Sequence, residues 1–142
     1  MRAVRLVGLL VVSAGLMPVA QGHPALSWTQ QKNSPVLYQS GTHAVTVLSP
    51  PPSSRAQQPV LGSQVVKVHV RRHVKGAAVV QSQVCWKTQA RCVPLVADTL
   101  ETTAFNGAEA AGPVVVTHRV LGKGNLPGPV VIETGVIVWF TR

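Results

Sequence analysis

Val66-Lys67-Val68-His69-Val70-Arg71-Arg72-His73-Val74-Lys75 decides the fold. Valines occupy even positions and Lys67, His69, Arg71, His73 and Lys75 occupy odd ones, an alternation of period two interrupted at Arg72. Successive side chains of a strand point to opposite faces, so this run predicts one face against a core and one basic face or edge in water. On a strand, the i, i+4 pair His69 and His73 stands roughly 13 Å apart, too far to share one zinc ion. No metal or other cofactor is expected.

Outward from this stretch the same composition continues. Residues 23–142 hold 22 Val against 8 Leu and 2 Ile, and β-branched side chains suit a pleated surface better than a helical one. Further strands are expected at 26–31, 42–48, 79–87, 91–96, 113–120 and 130–140, with a weaker one at 100–105. Turn chemistry separates them at Gln39-Ser40-Gly41, the Pro50-Pro51-Pro52 connector, Gly76, Asn106-Gly107 and the loop Gly122 to Gly128. Residues 104–111 have room for a helical turn, limited by Gly107 and Gly112. Seven or eight short, mostly antiparallel strands in an all-β chain predict a single small β-sandwich, with a small β-barrel as the runner-up.

The N-terminus reads differently. Arg2 and Arg5, an apolar run from Leu6 to Met17, and Ala20-Gln21-Gly22 have the order of a cleaved export signal, which gives 1–22 as signal peptide and 23–142 as the domain. A membrane-spanning helix needs roughly 20 apolar residues, so no stable membrane insertion is expected. The formal charge of +9 drops by two when Arg2 and Arg5 leave, and the remaining excess suits acidic partners or polyanionic envelope surfaces. No zinc finger, basic helix or aromatic-basic motif supports nucleic acid as a partner.

In an exported chain an even cysteine count favours a disulfide, here Cys85–Cys92 across a hairpin loop. Closing eight residues stabilises a fold by about 2 to 2.5 kcal/mol on the loop-entropy argument. The spacing is not that of a redox-active CxxC pair. The acidic residues are only Asp98, Glu101, Glu109 and Glu133, and no nucleophile elbow, zinc-protease or phosphate-loop motif is present, so no catalytic residues are assigned and the chain reads as a non-enzyme. Of the three tryptophans, Trp28 and Trp139 are expected in the core. Trp86, beside the hairpin, is the candidate exposed aromatic, and it anchors an alternative reading as an exported peptidoglycan- or polysaccharide-binding module.

Several motifs in order carry a family resemblance: Ser27-Trp28; Ser54-Arg55-Ala56-Gln57-Gln58-Pro59-Val60 ahead of a long strand; the hairpin ending Arg91-Cys92-Val93-x-Leu95; Gly122-Lys123-Gly124-Asn125-Leu126-Pro127; and the terminal Val136-Ile137-Val138-Trp139-Phe140-Thr141-Arg142. The chain resembles the periplasmic flagellar protein FlhE family of Gram-negative bacteria. The resemblance implies a β-rich periplasmic accessory protein of flagellar biogenesis. Its partners would be flagellar rod or export-apparatus proteins, and its role chaperone-like, preventing premature assembly or leakage through the export gate. The basic face Lys67, His69, Arg71, His73 and Lys75 is the candidate partner surface.

Overall fold

The computed structural model describes residues 26–52, 57–87 and 91–142. The expected signal peptide lies outside them. Among the described residues nine strands follow one another: β1 (Leu26–Asn33), β2 (Leu37–Gln39), β3 (His43–Leu48), β4 (Gln64–Lys75), β5 (Val80–Trp86), β6 (Cys92–Leu95), β7 (Thr99–Thr102), β8 (Val114–Val120) and β9 (Asn125–Thr141). One sheet runs β1-β9-β4-β7, with β2 on the N-terminal part of β9; the other runs β3-β8-β5-β6. All pairings are antiparallel and neither sheet closes on itself, so the fold is the sandwich and not the barrel.

Alternation places the core. The valines Val68, Val70, Val84, Val114, Val116, Val136 and Val138 are all fully or almost fully buried, and they belong to one cluster with Trp28, Trp86, Phe105 and Phe140. A second cluster gathers Leu37, Ala44, Val120, Val130 and Ile132. The long central strand β4 departs from the expected pattern in two ways. Val65 opposes Phe140 while Lys67 opposes Trp139, so Val66 is the extra residue of a bulge and stands 42% exposed, and Val65 takes the core position. Arg72 does not interrupt the alternation. It occupies the inward position and is 8% exposed.

Other boundaries also differ. The last strand begins at Asn125, inside the stretch expected to be loop, because Asn125 pairs with Gln39 of the short β2. Residues 103–112 form turns and not a helical turn, stitched to the start of β4 by Val65 N–H to Ala108 O and Ala110 N–H to Ser63 O. The stitching plugs one end of the sandwich: Phe105 meets Trp86 with ring centroids 5.7 Å apart, and Trp28 Nε1–H donates to Ala110 O at 2.8 Å. At the β4–β5 corner, Gly76 has φ of 120°, and an added Cβ would lie 2.7 Å from Pro129 O. Only glycine fits such a corner.

A candidate binding face and the polar layer behind it

The five basic residues lie together on the solvent face of the larger sheet. Pairing across β1, β9, β4 and β7 makes rungs of Thr29, Ile137, His69 and Glu101, then Gln31, Gly135, Arg71 and Thr99, while His73 opposes Glu133. β7 pairs with β4 only over Val68–Arg71, so His69 and Arg71 are flanked by strands on both sides, whereas Lys67, His73 and Lys75 have a ladder partner only on the β9 side. The charge of the row is uneven. Lys67 Nζ lies 3.1 Å from Glu101, and Lys75 Nζ donates to Glu133 at 2.7 Å. His69 Nδ1 is 4.0 Å from the same Glu101. The Lys75 hydrogen bond holds the Glu133 carboxyl below its ordinary value, against a smaller opposing effect of desolvation. Arg71, in the middle, pairs with no carboxylate among the described residues.

Two of the three tryptophans are not where the sequence suggests. Trp86 is 5% exposed and packs on Phe105, because its parity on β5 is that of the buried Val84 and Ser82; the exposed aromatic is a misreading. Trp28 is in the core as expected. Trp139 alternates with the buried Val138 and Phe140, so it stands half-buried on the solvent face, with Lys67 Nζ 4.5 Å from its ring centroid.

Cys85 and Cys92 form the disulfide directly across the β5–β6 ladder, with Cα atoms 4.1 Å apart. Their parity is that of Gln83 and Pro94, which places the bridge on the outer side of the smaller sheet. That side also carries an open groove of about 570 Å³ bordered by His43, Gln81, Gln83, Pro94, Thr117 and Arg119.

A polar layer that the sequence reading missed crosses the interior. Arg72 Nη1–H donates to Ser82 Oγ at 2.9 Å and to Val80 O at 3.0 Å, and its other nitrogens reach Asp98 Oδ1 at 3.0 and 3.2 Å. Ser82 Oγ lies 2.7 Å from His118 Nδ1, and His118 Nε2 lies 3.1 Å from Thr134 Oγ1. Ser82 accepts from the guanidinium, so its own hydroxyl proton is available to Nδ1, and the neutral ring then donates from Nε2 to Thr134. Burial pushes the His118 pKa down to about 4, and the Arg72 charge adds to the shift. The chain crosses from β4 of the larger sheet to β5 of the smaller, passes within the smaller sheet from β5 to β8, and crosses back from β8 to β9. In each of these strands the polar residue separates the two apolar clusters.

No curated protein matches the chain. A solved structure titled "Crystal Structure of FLHE" superposes with a TM-score of 0.66 at 24% identity, covering 83% of this chain and 98% of that one, a likeness of fold. Among the described residues no helix is long and apolar enough to cross a membrane. A family profile described as "Flagellar protein FlhE" matches residues 34–140, most of the nine-stranded sandwich, and on that match the chain belongs to the FlhE family of flagellar proteins.

Proposed function

We propose that this chain is a non-enzymatic accessory protein of flagellar biogenesis that acts in the periplasm after export. It binds flagellar rod or export-gate components in a chaperone-like way, and so prevents premature assembly or leakage through the export gate. Family membership supports the flagellar setting. The observation that carries the binding mode is the row Lys67, His69, Arg71, His73 and Lys75, presented on the solvent side of β4 with His69 and Arg71 inside a four-strand ladder. A charged face of this kind steers acidic partners and sets register.

The face is a better candidate than an edge. Lys32 Nζ donates to Val47 O and Ser49 N–H donates to Gln30 Oε1, so side chains of β1 cover part of the β3 border, and Pro94 removes a donor from β6. The polysaccharide reading loses its aromatic, since Trp86 is buried and the Trp139 ring lies under Lys67. In-cell crosslinking of the exported protein in a flagellated host, followed by mass spectrometry, tests the proposal. Recovery of rod, hook or export-gate subunits is expected; capture of envelope polymer alone, or of nothing, overturns it.

A further inference from the structure

We propose that the hollow over Gly135 is a pocket for one acidic side chain of an extended polypeptide partner, with Arg71 as its charged donor. The inference rests on the reading of the basic row as the partner face and names what that face recognises.

Gly135 lies inside the 17-residue strand β9, paired with Gln31 on one side and Arg71 on the other. Nothing in the fold calls for glycine there. Its φ is not in the left-handed region, and a Cβ would meet no atom within 4 Å. Glycine inside a strand is unfavourable relative to alanine, and such a position often marks a close approach by a ligand or another backbone. The missing side chain leaves a depression of about 180 Å³ bordered by Thr29, Gln31, His69, Arg71 and Ile137.

Charge and size select the occupant. Carboxylates already pair with Lys67 and Lys75 at the two ends of the row, whereas Arg71, opposite the hollow, has none among the described residues. A guanidinium forks onto a carboxylate with two parallel hydrogen bonds. The Thr29 hydroxyl adds a polar group beside the Gln31 amide, which itself bonds Glu133, and Ile137 offers an apolar wall to the methylenes of a glutamate. Glu101 and Glu133 flank the site, so a continuous polyanion would meet like charge on both sides. The space suits one side chain, and an extended segment can bring one there while its neighbours lie over the sheet.

The test is a titration of the isotope-labelled exported protein with a short capped peptide carrying a central glutamate, followed by amide NMR. Saturable shifts are expected at Gly135, Arg71 and Gln31. The same peptide with glutamine should bind about tenfold or more weakly, as loss of a charge-assisted hydrogen bond implies. Gly135→Val fills the hollow and should abolish the shifts without lowering Tm. Arg71→Gln should weaken binding similarly, whereas Arg119→Gln, which removes a positive charge from the outer side of the smaller sheet, should change it by less than about threefold. No saturable shift, equal response to the two peptides, or unchanged binding by Gly135→Val overturns the proposal. So does an N-acetylglucosamine oligomer that shifts the same amides when the acidic peptide does not. In the crosslinking assay, capture of flagellar subunits equally by wild type and both variants overturns the pocket alone. Absence of capture by wild type overturns the wider reading, and the titration still decides the pocket.

Discussion

Lowering the pH from neutral to about 4 should destabilise this fold through His118 before its carboxylates matter. The imidazole is fully buried, and its pKa falls from 6.5 to about 4. Because the folded state binds the proton more weakly than the unfolded chain, the His118 contribution is intact above pH 6.5. It is lost progressively as pH falls toward 4, at about 1.4 kcal/mol per pH unit, or roughly 3 kcal/mol in total. That is a large part of a small domain's usual 5 to 15 kcal/mol, to order of magnitude. Structurally, protonation would place a second donor at Nδ1 against Ser82 Oγ, which already accepts from Arg72, and would put two positive charges in one buried layer. The assay is urea denaturation at intervals from pH 7 to 4.5 on the wild type and on His118→Gln, which keeps polar contact with Ser82 and Thr134 but does not titrate. The wild type should lose stability steeply over this range and the variant much less. Equal pH slopes in the two proteins would refute the buried neutral histidine. Glu133 acts in the same direction only at lower pH: its depressed pKa means stability present above the ordinary carboxylate value and lost below it.

Arg72→Met removes the guanidinium from Ser82, Val80 O and Asp98 and should cost about 2 to 3 kcal/mol in chemical denaturation. It should also raise the His118 pKa toward its ordinary value, so the acid-induced loss still begins near pH 6.5 but ends at a higher pH and is smaller in total; a histidine NMR titration reads the pKa directly. Replacing both Cys85 and Cys92 by serine should lower stability by about 2 kcal/mol while leaving the β-sheet circular dichroism at neutral pH unchanged. Gly76→Ala forces a Cβ against Pro129 O at a left-handed φ and should cost about 2 kcal/mol or more, seen as a fall in Tm of several degrees. Charge reversal at Lys67, Arg71 and Lys75 together should leave the fold intact and remove partner capture.

Much of the sandwich was legible because valine alternation is a direct record of which strand face is buried. The strands around Val68, Val84, Val116 and Val136 follow from it, and so does the exposed row Lys67 to Lys75. What was missed came from reading residue type ahead of parity. Arg72 looks like an interruption, yet it shares the parity of Val68 and Val70; Thr134 shares that of Val136, His118 that of Val116, and Ser82 that of Val84. One polar residue at inward parity in each of four apolar runs was the available signal for the internal layer. The same parity argument sends Trp139 outward and Trp86 inward, opposite to what size and the neighbouring hairpin suggest. The bulge at Val66 and the short β2 left no such signal, since both are set by register against β9. The hollow at Gly135 was invisible in sequence, because a glycine in a strand shows its purpose only when the residues on either side of it are known.

A photocrosslinking residue placed at Thr29, on the open side of the larger sheet, compared with one at Gln83, on the open side of the smaller sheet, tests the central claim most directly in a flagellated host. The account predicts flagellar rod or export-gate subunits captured from Thr29 and not from Gln83. Capture from Gln83 alone, or from neither position, would contradict it.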